Sequence, residues 1–396
     1  MKLAPHTIDK IANSCQVEPE QVLAVHDVES TYHVPMLLEQ QQLIPLLNDL
    51  LNLKGLNISK PRLDQGQMTW TEWQSLTAGT PMKLMDPVNI ALVGKYNALH
   101  DSYLSVIKSL EHAAMACKRK LNLIWIDAEH LENKTQHNQE STMDYHKAWH
   151  NLCSAQGIIV PGGFGKRGTE GMIAAAHWAR INKKPYLGVC LGMQLAVIEY
   201  ARNVCGMTGA GSEELDGSRV DPKIIVNMPE IDQVNLGGTM RLGIRPTFFQ
   251  EGSEWSRLRA LYSKDTSQQT LINGHSHASA SHSHVAPSAS ADPNAHAILE
   301  RHRHRFEVNP AHVEQLTKAG LNFIGKDEKG ERMEIVELKE HPYFVGVQFH
   351  PEYLSRVLEP SKPYLGLVAA SIGQLDKAIK NELRNRATSV NGVTDV

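Results

Sequence analysis

The chain has 396 residues, of which 41% are hydrophobic and 21% are charged. It is long enough to bury a large core, and we expect one large globular domain with a smaller attached piece. The net charge of −3, with both signs interspersed, gives no reason to expect a nucleic acid or a membrane surface as partner. The five cysteines are odd in number and widely spread, and neither end has an apolar stretch suited to a signal peptide or membrane span. These features predict a cytoplasmic protein.

The first 87 residues predict two short regions. Residues 1–51 start and end with helical spacing, but they are too few to make a domain of their own. Residues 52–87 are rich in Gly and Pro around an amphipathic piece that contains Trp70 and Trp73. This composition predicts a linker that carries one helix.

From residue 88 onward, apolar strands alternate with helical patterns. Strands are predicted at 90–93, 121–126, 157–160 and 186–188, and helices at 102–117, 141–152, 171–181 and 193–200. This alternation predicts an α/β fold over residues 88–375, with a mostly parallel central sheet and helices on both faces. In such sheets, functional groups collect at the carboxyl ends of the strands.

Cys190 lies where a predicted strand passes through a sharp turn into a helix, in the sequence Gly-Val-Cys-Leu-Gly at 188–192. The flanking glycines suit a nucleophile elbow, because the chain bends tightly there and neighbouring backbone comes close. A helix N-terminus lowers a thiol pKa and increases the reactive thiolate fraction. Cys190 is therefore the candidate nucleophile, with a buried structural cysteine as the alternative.

Backbone amides near Cys190 are candidates for an oxyanion hole. The sequence Pro-Gly-Gly-Phe-Gly at 161–165 follows the predicted strand 157–160. Its glycine pair can turn N–H groups toward a reacting carbonyl, and the amide of Leu191 can supply a second donor. A plain tight turn is the alternative for Gly162 and Gly163.

Two further segments carry ionisable groups. In the alternating run at 301–305, Arg301, Arg303 and Arg305 are expected to point to one side of a strand, where one of them can clamp a carboxylate. The sequence Phe-His-Pro-Glu at 349–352 ends a predicted strand. Residues two apart in an extended chain share a face, so Glu352 is expected to accept from one nitrogen of His350 while the other faces a thiol.

Residues 265–293 are rich in Ser, Ala and His, which predicts a disordered insertion. Its His-x-His pairs have no accompanying cysteine or carboxylate cluster, and no metal site is predicted. Residues 376–396 are expected to be the end of a helix and a disordered tail.

The motifs at 161–165, 188–194 and 349–352, in this chain order, resemble the class I glutamine amidotransferases. Other parts of the sequence are similar to that of the CTP synthase family, namely Gly-Lys-Tyr at 94–96, Asp-Ser-Tyr at 101–103, the segments 164–173 and 235–243, and the run 301–309. Residues 1–51 resemble the closing part of that family's synthetase domain. The resemblance implies the amidotransferase fold with a nucleophile-elbow cysteine.

The resemblance also implies a role for each matching residue. Cys190 falls on the nucleophile, His350 on the general base and acid, and Glu352 on the group that orients His350. Gly163 and Leu191 fall on oxyanion-hole amides, and the residues matching the glutamine site are Gly163, Leu191, Gly192, Met193, Gln194, Glu214 and Arg305. Lys10 matches a position near the nucleotide pocket.

Members of this family use ATP and Mg²⁺ to aminate UTP, respond to GTP as an activator, need no cofactor for glutamine hydrolysis, and form tetramers and filaments. No glycine-rich phosphate loop occurs near the start of this sequence, so most of the synthetase domain is expected to be missing. We expect the chain to hydrolyse L-glutamine and to make no CTP alone.

Two other functions remain open from the sequence. A shortened isoform could join CTP synthase tetramers or filaments without catalysing synthesis, and His112, expected to be exposed about half a turn from the buried helix face, would be available as a contact. A different hydrolase acting on γ-glutamyl substrates would share the Cys-His-Glu triad but would not need the Gly-Lys-Tyr motif.

Overall fold

The computed structural model describes residues 3–28, 30–77, 85–97, 99–132, 139–217, 220–229, 240–262 and 297–390. The chain divides into two compact units, Met1–Met85 and Asp86–Val396. The insertion predicted at 265–293, most of the segment 235–243 and the end of the predicted tail lie outside the described residues.

The first unit contains four helices in its described part: α1 (Pro5–Cys15), α2 (Val34–Gln40), α3 (Leu43–Leu50) and α4 (Lys60–Thr77). Helix α4 is the one predicted in the linker. Its two indoles bond to the preceding segment, with Trp73 Nε1 donating to the carbonyl of Tyr32 at 3.2 Å and Trp70 Nε1 to Glu39 at 3.0 Å. The stretch predicted as a separate linker therefore packs with the residues before it.

The second unit contains the predicted alternation of strands and helices. Its strands are β1 (Pro87–Gly94), β2 (Lys120–Asp127), β3 (Gly157–Val160), β4 (Tyr186–Val189), β5 (Gly211–Ser212), β6 (Lys223–Asn227), β7 (Arg241–Phe249), β8 (Ala297–His304), β9 (Phe306–Val308), β10 (Asn322–Lys326), β11 (Met333–Glu337) and β12 (Phe344–Val347). Its helices are α5 (Leu104–Ala116), α6 (Gln139–Ser154), α7 (Thr169–Ile181), α8 (Leu191–Asn203), α9 (Glu213–Asp216), α10 (Arg257–Tyr262), α11 (Pro310–Lys318), α12 (Lys362–Ser371) and α13 (Leu375–Val390).

Within the described residues, nine strands form the central sheet, in the order β2-β1-β3-β4-β12-β11-β10-β7-β8. The five strands from β2 to β12 pair in parallel, and the remaining four continue the sheet in antiparallel pairings. Strands β5, β6 and β9 make a separate small sheet. The predicted α/β class is confirmed, and the order places β3, β4 and β12 side by side.

Helices cover both faces of the parallel half, as predicted. Along β1, Ile90 and Leu92 belong to one buried cluster with residues of α5 and α12, while Ala91 and Val93 belong to a second cluster with residues of α7 and α8. Alternate side chains of a strand point to opposite faces, so each face of the sheet has its own core. This double burial explains why these strands are nearly continuous apolar runs.

The expected exposure of His112 was wrong. Its side chain is only 8% exposed, and its Nδ1 lies 3.0 Å from Ser355 Oγ. Helix α5 packs against the sheet on one side and against the turn at Pro351–Leu354 and helix α12 on others, so the face opposite the sheet is also covered. His112 is therefore not available as a surface contact in this structure.

Candidate active site

Three loops meet at the carboxyl ends of β3, β4 and β12. Because these strands are parallel neighbours, residues 161–165 after β3, Cys190 after β4 and residues 348–352 after β12 all leave the same edge of the sheet. The topology thus brings together three motifs that are far apart in the sequence.

Cys190 sits in a strained backbone conformation between β4 and α8. Its φ is 52° and its ψ is −105°, a region that a residue with a side chain rarely adopts. Its N–H donates to the carbonyl of Val347 at 2.7 Å, which ties the elbow to β12. Such strain costs about 1–3 kcal/mol and persists where surrounding packing imposes it. The predicted sharp turn at Cys190 is present.

The glycines around Cys190 allow the tight strand-to-helix packing. A Cβ on Gly192 would collide with the carbonyl oxygen of Val160, and a Cβ on Gly188 would lie 2.6 Å from the carbonyl carbon of Gly192. Any larger residue at either position would push α8 away from β3 and β4. This is the close backbone approach that the sequence predicted for the two glycines.

The side chains of Cys190, His350 and Glu352 form a connected row. Cys190 and His350 lie side by side: a Cβ on Gly162 would be 3.5 Å from Cys190 Cβ and 3.6 Å from His350 Nε2. The Nδ1 atom of His350 is 2.8 Å from Glu352 Oε1. All three residues are buried, with exposures of 7%, 9% and 7%. Because Glu352 occupies Nδ1, the Nε2 atom is the one left for the thiol.

The sequence predicted that an extended chain would place Glu352 beside His350, but the chain is not extended there. Pro351 begins a short 3₁₀ turn, Pro351–Leu354, which turns the chain after His350. The N–H of His350 donates to the carbonyl of Arg301 at 2.7 Å, so β8 holds the backbone on the other side. The pairing was predicted correctly, but the local geometry that makes it was not.

Electrostatics favour a charged imidazole in this row. Burial by itself lowers the pKa of His350, but the neighbouring Cys190 and Glu352 outweigh it and raise that pKa well above its usual value. Behind Glu352, Tyr364 is completely buried, and burial together with the carboxylate raises the pKa of its hydroxyl. The arrangement suits a thiolate–imidazolium pair oriented by a carboxylate.

The loop after β3 lies directly against this row. A Cβ on Gly162 would be 2.8 Å from His350 Cε1, and one on Gly163 would be 3.5 Å from Leu191 Cδ2. Leu191 is the first residue of α8, so its N–H has no carbonyl within the helix to bond. The structure thus brings Gly163 and Leu191 together next to Cys190.

Glu214 and Arg305 lie near each other beside the same loop. Burial raises the pKa of Glu214, while a bond from the backbone of Gly165 and the charges of Lys95 and Arg305 act to lower it. Arg305 follows the end of β8 and is partly buried. An anion and a cation thus stand beside the loop that follows β3, and an amino acid ligand would need both charges.

The remaining predicted glutamine-site residues are on the first turn of α8. Gln194 is 4% exposed, and its Nε2 donates at 3.1 Å to both the carbonyl of Phe306 and Gln348 Oε1. Met193 is completely buried in the core, so its side chain does not face solvent or a ligand. Gly192 packs on β3 as described. Lys10 is exposed on α1 of the first unit.

The alternation along β8 is as expected for Arg301 and Arg303, which are exposed, whereas His302 and His304 point inward.

Among the described residues, His302, His304 and Glu334 are the group with donor atoms close enough to hold a metal, within 4.8 Å of one another. However, His302 Nδ1 lies 3.2 Å from His304 Nε2, and Arg241 lies 3.4 Å from Glu334. A cation would share this buried pocket with a guanidinium charge, so we interpret the cluster as an internal support of β8.

Two buried residues at the site were not singled out from the sequence. Lys95 is 2% exposed; burial lowers its pKa to about 8, and its ammonium donates to the carbonyl of Gly165. Gln348 is 1% exposed and lies 3.6 Å from the sulfur of Cys190 through Nε2. Lys95 stands inside the Gly-Lys-Tyr motif at 94–96 and Gln348 directly precedes the motif at 349–352, but neither motif by itself indicated these contacts.

Comparison with known families agrees with this geometry. Residues 98–369 match the family described as glutamine amidotransferase class-I. The chain belongs to this family. Residues 1–53 match a second family, described as CTP synthase N-terminus. In the described part of the chain, no helix is both long and apolar enough to cross a membrane.

Several curated proteins that are similar to this chain carry the name CTP synthase. The protein from Neurospora crassa is 54% identical over 389 residues, which cover 98% of this chain and 61% of the relative. That from Schizosaccharomyces pombe is 54% identical and covers 96% of this chain and 57% of the relative. The chain thus spans about three-fifths of the length of these relatives, and its resemblance to CTP synthases is confirmed over that portion.

A solved structure is also similar, the glutaminase domain of Trypanosoma brucei CTPS with bound acivicin. It has a TM-score of 0.58 and 35% identity, and the alignment covers 72% of this chain and 94% of that domain. The amidotransferase fold predicted from the sequence is therefore confirmed.

Proposed function

We propose that the second unit hydrolyses L-glutamine to glutamate and ammonia, with Cys190 as nucleophile, His350 as general base and acid, and Glu352 as the group that orients His350. The observation that carries the proposal is a strained, buried cysteine at a helix N-terminus beside an imidazole whose Nδ1 is 2.8 Å from a carboxylate. That constellation activates a sulfur nucleophile in water-poor surroundings.

The reaction follows from these positions. The Cys190 thiolate attacks the side-chain amide carbon of glutamine, and the developing oxyanion lies toward the N–H groups of Gly163 and Leu191. His350 then protonates the departing nitrogen, which leaves as ammonia, and a thioester remains. Water, deprotonated by His350, hydrolyses the thioester and releases glutamate. Glutamine hydrolysis by this route requires no cofactor.

Recognition of glutamine is proposed to use the two charges beside the loop. Glu214 would bind the α-ammonium and Arg305 the α-carboxylate, while Gly192, Met193 and Gln194 would contribute through the first turn of α8. Because Met193 is buried in the core, its contribution is limited to its backbone. Replacing Glu214 by Gln or Arg305 by Met is expected to raise KM for glutamine about tenfold or more, the usual effect of losing a charged hydrogen bond.

Glutamate release by the purified chain tests the proposal. Cys190→Ala is expected to lower kcat at least about 1,000-fold, because the nucleophile is lost. Cys153→Ala is the matched control, since Cys153 is an exposed cysteine on α6. Equal glutamate release by Cys190→Ala and the unaltered chain would refute the assignment.

We infer a wider role from the named relatives. In a complete CTP synthase the ammonia would be used for the ATP- and Mg²⁺-dependent amination of UTP, with GTP stimulating glutamine hydrolysis, in a cytoplasmic tetramer able to form filaments. Lys10 is proposed only as a residue near the nucleotide pocket of that larger protein. The assembly-only alternative is not favoured, because the chain retains the amidotransferase family match and the connected Cys-His-Glu row.

A further inference from the structure

We propose that Gln348 is a further catalytic residue, which donates a hydrogen bond from its side-chain amide to the Cys190 thiolate and stabilises it. Its Nε2 lies 3.6 Å from Cys190 Sγ and donates to it. Sulfur is a larger and weaker acceptor than oxygen, and an ionised thiolate accepts more strongly than a thiol. The catalytic consequence of this contact rests on the glutaminase function proposed above.

The orientation of the Gln348 amide follows from a fixed backbone acceptor. The carbonyl of Phe306 can only accept, so the NH₂ group of Gln194 must face it, at 3.1 Å. The same NH₂ group reaches Gln348 at 3.1 Å, so the oxygen of Gln348 must face Gln194. The NH₂ group of Gln348 is then directed to the sulfur. Gln194 thus acts as a positioning residue that sets which end of Gln348 meets Cys190.

Burial makes this contact effective. Gln348 is 1% exposed, and its backbone N–H donates to the carbonyl of Glu334 at 2.9 Å, so both its main chain and its side chain are held. With water excluded, a hydrogen bond to a charged group is stronger. Its removal should raise the pH at which Cys190 ionises.

Near this site, burial lowers the pKa of Lys95 to about 8 and raises the pKa values of Glu300 and Glu334 to about 8, so these groups change charge between pH 5 and pH 10. They are the same in the unaltered chain and in the Gln348 variants, so a difference between those proteins reports on Gln348. On β8, burial lowers the pKa of His304 to about 3, and burial together with the neighbouring His304 and Arg241 charges lowers that of His302 well below its usual value. The His304 imidazole is therefore neutral above pH 5, and burial favours the neutral form of His302 as well. Glu352 faces the other side of His350, with its Oε1 2.8 Å from Nδ1.

The test measures the thiol directly. Each variant is treated with iodoacetamide, a neutral reagent, from pH 5 to pH 10, and carboxamidomethylation is quantified peptide by peptide. Gln348→Glu keeps the oxygen that accepts from Gln194 but replaces the donor, and Gln348→Met removes both polar ends at similar length. Cys153, exposed on α6, serves as an internal reference in every sample. Gln156→Glu is the matched control, because Gln156 lies before β3 and its oxygen accepts from Asn89 at 2.8 Å.

The expected result is a rise of about one pH unit or more in the midpoint of Cys190 alkylation for both Gln348 variants, as loss of a charged hydrogen bond predicts. Cys153 should keep its midpoint, and Gln156→Glu should behave as the unaltered chain. The variants should also lose about tenfold or more in kcat for glutamine with a smaller change in KM. Folded Gln348 variants with an unchanged Cys190 midpoint would overturn the proposal and leave Gln348 a packing residue.

A second measurement needs no Gln348 variant and remains available if those variants fail to fold. The unaltered chain is labelled with ¹⁵N-glutamine and followed by NMR as the pH is changed. The chemical shift of one side-chain amide should change with the same midpoint as the alkylation of Cys190, and this change should be absent in Cys190→Ala. The absence of any such amide would refute the contact. The alkylation and amide shifts do not depend on turnover, so a chain that shows them but hydrolyses no glutamine would contradict the proposed function alone.

Discussion

Alanine at position 162 is expected to impair glutamine hydrolysis strongly without unfolding the protein. The added Cβ would lie 2.8 Å from His350 Cε1, whereas two carbon atoms normally approach to about 3.5–4.0 Å. The imidazole must therefore retreat by about 0.7 Å or more. Glu352 holds the ring at 2.8 Å and the backbone of His350 is bonded to Arg301, so the ring cannot move without disturbing its contact with Cys190.

A displacement of about 1 Å in a catalytic group costs about 100-fold in rate, which is the loss in kcat expected for Gly162→Ala. The assay is glutamate release at saturating glutamine, together with thermal unfolding. Gly66→Ala on α4 is the control, because a Cβ there meets no atom within 4 Å. A kcat for Gly162→Ala within about threefold of the unaltered chain would show that His350 tolerates the displacement, and would refute the reasoning.

Three more changes have definite expected outcomes. Glu352→Gln should lower kcat by about 100- to 10,000-fold and lower the pKa of His350, measured as a shift in the pH–rate profile, because the carboxylate no longer stabilises the imidazolium; an unaltered profile would contradict the role of Glu352. Lys95→Met should lower kcat/KM about tenfold or more, since the loop carbonyl at Gly165 and the Glu214 carboxylate lose a buried cation; activity equal to that of the unaltered chain would show that the loop holds its position alone. His341→Gln should make the stability of the fold less sensitive to acid, because burial lowers the pKa of His341 to about 4. As the pH falls below about 6.5, the unfolded chain therefore binds the proton before the folded chain does. Between pH 7 and pH 5, the free energy of unfolding measured with urea should fall by about 2 kcal/mol more in the unaltered chain than in the variant.

That last expectation has a structural cause in two hydrogen bonds. His341 Nε2 lies 3.1 Å from the carbonyl of Ala179, and the N–H of Tyr343 donates to His341 Nδ1 at 3.1 Å. The neutral imidazole satisfies both partners, whereas a protonated Nδ1 would face a second N–H group. Identical pH dependence in the native chain and His341→Gln would mean that His341 protonates in the folded state.

The order of strands and helices and the nucleophile elbow could be predicted from the sequence because they depend on local patterns. Apolar runs and helical periodicity located β1 to β4 and α5 to α8 within a few residues. The glycines at 188 and 192 indicated a sharp, crowded turn because only a residue without a Cβ fits there. Motifs of this kind determine local conformation, and they were sufficient to identify Cys190, His350 and Glu352 as candidate residues.

Only the tertiary structure decided how those candidates meet and what surrounds them. The neighbouring positions of β3, β4 and β12 brought three distant segments to one edge of the sheet, and a 3₁₀ turn, not an extended strand, directed Glu352 toward His350. Burial of His112 and the contacts of Lys95 and Gln348 depend on helices and strands remote in the chain. The physical reason is that desolvation and hydrogen-bond partners are properties of the packed surroundings, which residue spacing alone does not contain.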